Sequence, residues 1–330
     1  MQNTISHSRR DFLKTSAMLS LAGVSAAFIP NLLQGAQNLA KNNKTQVILN
    51  EFFTLNNGNK IPKLGLGTWR IDDNVVEAAV REAFKVGYRH IDTAQAYGNE
   101  RGVGEAVRKS KIKREELFIT SKIRAEYKDY KSASASIDTS LKTMKLDFID
   151  LMLIHSPQPW NSFRKGDYFK ENVEVYNALE DAQKAGKVRS IGVSNFLQKD
   201  LENILKNCKT KPAANQILCH IGNTPFTLLD YCKKQNILAE AYSPIAHGEL
   251  LKDPRVIELA KKYNVSPAQI CIRYTLELGL VSLPKSKTPK YIAENAQVDF
   301  TFSKADLQTL KKLTFKDYGE HSYFPVFGGK

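Results

Sequence analysis

Four side chains able to share a proton stand at the ends of short apolar runs or just beyond them. Asp92 closes Gly87-Tyr88-Arg89-His90-Ile91-Asp92, and Tyr97 follows in a turn before a helical stretch. Lys122 closes Phe118-Ile119-Thr120-Ser121-Lys122, and His155 closes Leu151-Met152-Leu153-Ile154-His155. If these runs are parallel strands of a barrel, their C-terminal ends converge on one mouth. Such a group can deliver a proton to a carbonyl oxygen. Carbonyl reduction needs a hydride, which a cofactor carries, and an acid with a pKa not far from working pH. A free tyrosine, at about 10, is too weak an acid. A lysine cation within a few ångströms lowers it, and a carboxylate must hold a buried lysine in its charged form. Tyr97 therefore reads as the acid, Lys122 as its electrostatic partner and Asp92 as the lysine's counter-ion. His155 reads as the group that bonds and orients the substrate oxygen, with Trp69 as a pocket wall. Singly, each has an ordinary reading: a packing tyrosine, a solvated lysine, a helix-capping aspartate, a core histidine. Their joint placement at three strand ends and one adjacent loop favours function.

The elements that must position them alternate along the chain. Residues 52–64 alternate around Asn57-Gly58, a hairpin signal expected to cap one end of the fold. Strands are then expected at 64–69, 88–92, 117–122, 149–155, 188–193, 214–218, 237–242 and 280–283. Helical spacing falls at 75–86, 100–109, 133–144, 173–185, 199–206, 228–234, 255–263, 267–278 and near 291–297. The almost unbroken apolar run 149–155 suits a strand covered on both faces, and Ser266 suits a helix N-cap. This pattern is eight βα units, an α/β chain closed as a single (β/α)8 TIM barrel with an N-terminal β-hairpin cap. An open doubly wound sheet would carry a glycine-rich turn into a helix after its first strand. Gly65-Leu66-Gly67-Thr68-Trp69 lacks the third glycine and runs into Trp69 and Arg70.

At 330 residues, with 42% hydrophobic and 25% charged, the chain can bury a large core without disulfides. Its net charge of +14 suits a basic surface or a mouth that attracts an anionic cofactor or substrate. A nucleic-acid partner would need clustered basic residues or a known module, and neither is present. Cys208, Cys219, Cys232 and Cys271 fit no paired metal motif, and no metal is expected.

The N-terminus reads as an address. Ser8-Arg9-Arg10-Asp11-Phe12-Leu13-Lys14 precedes the apolar run 17–29, a basic region before a modest hydrophobic stretch. It closely resembles the twin-arginine export signal of bacteria. The run is short for a membrane span, which needs ~20 apolar residues, and Pro30 interrupts it. The expected layout is a signal segment at 1–36, a polar linker at 37–50 and the barrel at 51–330. The resemblance implies export, already folded, by the twin-arginine machinery to the periplasm or cell envelope, with a membrane contact only through an uncleaved signal.

From about residue 52 to 324 the chain resembles the aldo-keto reductases. The matching segments are Gly65 to Trp69, Gly87 to Glu100, Ile119 to Lys122, Leu153-Ile154-His155, Ile191-Gly192-Val193-Ser194-Asn195-Phe196, Asn215-Gln216, Ala241-Tyr242-Ser243-Pro244 and Leu283-Pro284-Lys285-Ser286. The resemblance implies NADPH-dependent reduction of an aldehyde or ketone, with Asp92, Tyr97, Lys122 and His155 as the catalytic tetrad. It implies that Trp69, Tyr97 and His155 meet the substrate. Thr68, Trp69 and Asp92 would lie near the cofactor, and Ser194, Asn195 and Gln216 would hold the nicotinamide carboxamide. Tyr242 would stack on the ring, Ser243 with nearby backbone at Pro244 would meet the pyrophosphate, and Lys285 and Ser286 the 2′-phosphate, with Lys287 and Lys290 partly compensating for a missing arginine and Thr288 also at the cofactor. Glu294 and Asn295 would lie near the adenine.

Three positions depart from the family pattern. Tyr291 stands where an arginine is usual, which leaves NADH open as a cofactor. Ser156 replaces a tryptophan after the histidine, implying a wider or more polar pocket there. Cys219-His220-Ile221 replaces the usual sequence after Gln216. The alternative to an enzyme is a non-enzymatic nucleotide-sensing subunit of a membrane-associated complex; an intact tetrad favours the enzyme.

Overall fold

The short apolar runs form strands and the amphipathic stretches form helices around them. In the computed structural model, residues 47–315 and 317–327 are described; the signal segment and residues 37–46 lie outside them. Strands β1 (Phe52–Thr54) and β2 (Lys60–Pro62) pair antiparallel as the expected hairpin, turning through Gly58 at φ +88°. Eight strands then follow: β3 (Gly65–Gly67), β4 (His90–Asp92), β5 (Phe118–Ile123), β6 (Ile149–Ile154), β7 (Val188–Ser194), β8 (Ala214–Leu218), β9 (Leu238–Tyr242) and β10 (Val281–Leu283). Each pairs parallel with its sequence neighbour. Parallel bridges Leu64↔Ser282 and Gly67↔Lys285 bring β10 round to β3. Gly65 permits this closure, because a Cβ there would lie 2.7 Å from His90 Nδ1 and 2.8 Å from Leu283.

Helices α1 (Asp73–Val86), α2 (Glu100–Lys109), α3 (Tyr130–Met144), α4 (Phe169–Lys184) and α5 (Gln198–Asn207) cover the first half of the sheet. Helices α6 (Phe226–Lys234), α7 (Pro254–Tyr263), α8 (Pro267–Glu277), α9 (Pro289–Asn295) and α10 (Lys304–Lys312) follow. Helix α1 buries Val76, Ala79, Val80, Ala83 and Phe84 against the strands. Gly87, at φ +116°, ends it by donating to the Ala83 and Phe84 carbonyls, which turns the chain into β4. Ser266 caps α8 by accepting from Gln269 N, as its sequence suggests. Asp73, by contrast, is drawn from its own helix to the backbone N–H of Gly102 and to Arg101, tying α1 to α2.

The hairpin closes the end of the barrel where strands begin. Asn56 donates to the carbonyls of Pro212 and Asn236, and Asn57 to that of Arg189, each lying before or at the start of a strand. Leu55 and Ile61 pack there with Phe118, Leu151, Leu153 and Val281. Two features differ from the sequence reading. Val47–Asn50, the last part of the stretch read as linker, is a 3-10 turn with buried Ile48 and Leu49, and Asp299 accepts its first two N–H groups. Helix α10 was not anticipated.

Candidate active site

The strand ends opposite the hairpin carry the four proton-sharing side chains. Register places Asp92 beside Gly67 on β3 and Thr120 on β5. Thr68 Oγ1 donates to the Asp92 carbonyl at 2.9 Å, fixing the strand end from below. Tyr97 ends a 3-10 turn, Gln95–Tyr97, which Gly98 terminates at φ +68°. Gln95 staples that turn to α3 through Ser136 O and Ser140 Oγ at 2.8 and 2.9 Å. Asn99 anchors the turn's far side, donating to Thr68 O and Ile71 O at 2.9 and 2.8 Å.

Lys122 lies fully buried between Asp92 and Tyr97. Its Nζ donates to Asp92 Oδ1 at 2.7 Å, to Thr93 O at 2.8 Å and to Tyr97 OH at 3.4 Å. Burial lowers this ammonium's pKa, but Asp92 and Tyr97 outweigh it, and the net direction is upward. The lysine is therefore a cation. Burial pushes the Tyr97 hydroxyl above its ordinary range, and Lys122 only partly offsets this. The expected lowering is reversed because desolvation exceeds the cation's pull. Tyr97 stays protonated, with a fixed cation beside the oxygen that would become negative on donating. His155 packs edge-on against Tyr97 at 5.6 Å between ring centroids. Burial, then Lys122, holds its imidazole well below the usual range, so it is neutral. Its Nδ1 has no partner among the described residues.

These groups open onto a cavity of about 540 Å³. Asp92, Tyr97 and His155 line it, as do Ser194, Asn195 and Gln216 at the ends of β7 and β8. Tyr242, Ser243 and Pro244 line it after β9, and Lys285 and Lys287 after β10. Lys122 lies beneath the floor, and Thr68, Ser286, Thr288, Glu294 and Asn295 are outside the lining; the Ser286 hydroxyl instead bonds Thr288 N at 3.1 Å. Tyr291 is exposed on α9. Desolvation, then Lys287 and Arg70, pushes Lys285 below the ordinary lysine range. Neither Lys285 nor Lys287 has a carboxylate partner among the described residues, so this end of the cavity can take an anion.

The outer wall comes from the loop after β6 and from the C-terminal segment, whose conformations sequence alone does not give. Trp160 stands 5.3 Å from the His155 ring and 5.1 Å from Phe324. Phe324 and Phe327, from the C-terminal segment, pack with Trp69 at 5.8 and 6.1 Å. Ser156 is buried outside the lining, so the expected polar widening beside His155 does not arise, and Trp160 supplies an aromatic wall. A tryptophan in the short turn after Pro157 and Pro159 was the available signal. Residues 124–131 contribute no lining side chain. Lys128 instead clamps the backbone after His155, donating to Ser156 O at 2.8 Å. His220, in the segment that departs from the family pattern, is buried and bonds Tyr318 OH at 2.9 Å, anchoring the C-terminal segment. Among the described residues no His/Cys/Asp/Glu group could hold a metal, and no helix is long and apolar enough to cross a membrane. Cys219, Cys232 and Cys271 are buried free thiols, with Cys208 half-buried.

The comparisons agree with this geometry. The Aldo/keto reductase family matches residues 63–314. Glyoxal reductase of Bacillus subtilis is 41% identical over 267 residues, covering 80% of this chain and 93% of its own. A crystal structure of an aldo/keto reductase from Brucella melitensis superposes with a TM-score of 0.74 at 41% identity, over 79% of this chain and 98% of that one. A Bombyx mori aldo-keto reductase in complex with NADP superposes with a TM-score of 0.73 at 33% identity, over 84% and 98%. A closed parallel barrel, a tyrosine–lysine–aspartate–histidine group at its mouth and these likenesses lead to one assignment: the chain belongs to the aldo/keto reductase family of NADP(H)-using oxidoreductases that reduce carbonyl groups.

Proposed function

We propose that this chain reduces a small aldehyde or ketone with NADPH, and that Tyr97 donates the proton. The carrying observation is Lys122, held at 2.7 Å from Asp92 and 3.4 Å from Tyr97 beneath a cavity that His155 also lines. The chain's groups fit the cofactor chemically. Gln216 lines the cavity beside Ser194 and Asn195, its Oε1 has no partner among the described residues, and it suits a carboxamide. The Tyr242 ring suits a planar stack. Lys285 and Lys287, with no carboxylate partner among the described residues, suit a 2′-phosphate. When bound, NADPH supplies the hydride that goes to the carbonyl carbon. Neutral His155 offers an N–H to the carbonyl oxygen and orients it. Tyr97 OH passes its proton to that oxygen as the alcohol forms, and Lys122 stabilises the phenolate left behind. Asp92 keeps Lys122 charged throughout. Trp69, Trp160 and Phe324 exclude water from the reacting end. Following NADPH absorbance with a panel of aldehydes and ketones tests the reading. Turnover of small aldehydes is expected; no oxidation with any carbonyl would overturn it. Tyr291 removes one phosphate-binding arginine, so the preference for NADPH over NADH rests on Lys285 and Lys287.

We also propose that the enzyme works in the periplasm or cell envelope. Support comes from Ser8-Arg9-Arg10-Asp11-Phe12-Leu13-Lys14 and the apolar run after it. A receptor that reads the planar guanidinium pair distinguishes arginine from lysine, whereas general secretion needs only positive charge and an apolar run. Changing Arg9 and Arg10 together to lysine should leave a folded, active protein in the cytoplasm. Normal export of that variant would overturn the twin-arginine route.

A further inference from the structure

Glu240, in the middle of β9, is a carboxyl group set inside the barrel with 0% exposure. Its Oε2 accepts from Gln216 Nε2 at 2.9 Å, and the same nitrogen donates to Asp92 Oδ2 at 2.8 Å. A side-chain amide nitrogen carries two hydrogens, and both are committed to carboxyl groups. The Gln216 oxygen is left without a partner among the described residues, on the cavity side. Reversing the amide would set its oxygen against the oxygens of Asp92 and Glu240, so these two groups together fix which way it points. The neighbouring amide differs. Asn195 Nδ2 donates to His155 O at 3.0 Å and Ser194 Oγ at 3.1 Å, while its Oδ1 accepts from Tyr242 OH at 2.7 Å. Among the described residues Glu240 makes no ion pair, and its Oε1 has no partner. The charged groups facing it are Asp92 from β4 and Lys122 from β5, with Gln216 between on β8. Its register neighbour on β10, Val281, offers no polar side chain. Burial raises its pKa to about 7, with Gln216 and Lys122 pulling down and Asp92 pushing up. A carboxyl group held at this cost without a cation is poorly explained by stability alone.

We propose that Glu240 is a positioning residue that locks the Gln216 amide with its oxygen toward the cavity. Gln216 then accepts a hydrogen bond from the NH2 of a nicotinamide carboxamide and cannot donate one. The proposal rests on the carbonyl-reductase reading above, and its test is one of binding. NADP+ carries that NH2; the 3-acetylpyridine analogue of NADP+ has a methyl group in its place. Fluorescence titration of the wild-type protein should show NADP+ favoured about tenfold, one hydrogen bond's worth. Glu240→Leu and Glu240→Met remove one of the amide's two acceptors and leave Asp92 alone to hold it. Whichever of them folds should show the preference cut to roughly twofold or less, by the same arithmetic. Glu240→Gln keeps an acceptor oxygen and should restore it. A role in packing alone would lower Tm without moving this ratio. Undiminished preference in the Leu or Met variant would overturn the proposal. Failure of the wild-type protein to bind NADP+ would overturn the cofactor reading itself, and this proposal with it.

Discussion

The barrel holds a buried carboxylate at each end, and the two are used differently. Near the hairpin end, Asp150 accepts from Ile119 N–H at 2.9 Å, from Arg114 at 2.7 Å and from Arg189 at 3.3 Å. Its cations are partly solvated, with side-chain exposures of 18% and 44%, and Phe148 packs against both. The group ties strand ends together and is not among the residues that line the cavity at the other end. At the opposite end, Asp92 holds Lys122, whose side chain is only 1% exposed. That ammonium has a third direction, toward the Tyr97 hydroxyl at the cavity floor. Both sites join a carboxylate to a cation. What separates a strut from a proton-delivery site is whether the cation is also aimed at an acid that substrate can reach.

Removing each cation or carboxylate in turn should separate the two roles. Lys122→Met should reduce carbonyl turnover by roughly 10²–10⁴-fold, the range for lost general-acid function, and flatten or shift the pH–rate profile. An unchanged rate and profile would make the upper site a strut as well. Lys285→Ala should weaken NADPH by roughly tenfold or more, a charge-assisted contact's worth, and leave NADH nearly unchanged in fluorescence titration. Equal losses for both would show that Lys285 does not meet the 2′-phosphate. Asp150→Leu should cost ~1–3 kcal/mol of stability in denaturant unfolding, mainly by orphaning the Ile119 N–H, with kcat scarcely altered. A large kcat loss without unfolding would break the contrast between the ends.

A further effect, on stability alone, concerns pH. Glu240 has a folded-state pKa raised from 4.5 to about 7. Between those values the folded state holds a proton that the unfolded chain has released, so wild-type stability falls as pH rises through that window. Glu240→Gln does not titrate there. Its stability should therefore gain on the wild type from about pH 4.5 to about 7 and then run parallel to it. A constant difference across that window would remove the assigned ionisation.

Much of this layout was legible in residue pattern. Period-2 and unbroken apolar runs marked all eight barrel strands, with ends shifted by a residue or two, because strand ends depend on neighbours that pattern cannot see. Glu100–Lys109 and Ala214–Leu218 matched at both ends. The proton-sharing groups were legible because parallel strands deliver their C-terminal residues to one place. Helix α10 was missed, although Ser303 and Asp306 are a capping signal, and Ser303 does accept from Asp306 N. Trp160 and Phe324 were not legible as partners, since they meet only through loop conformations. Glu240 was overlooked inside an apolar strand, where one charged residue among Leu238, Ala239 and Ala241 was the clue. The reversed shift at Tyr97 needed the extent of burial, which spacing does not supply.

The central claim is that the Tyr97 hydroxyl delivers the proton while its ring merely shapes the site. Tyr97→Phe removes one oxygen and keeps the ring. Measured side by side, NADPH affinity should stay within about twofold of wild type, while carbonyl reduction falls by roughly 10²–10⁴-fold. Wild-type-like turnover in that variant would contradict the account.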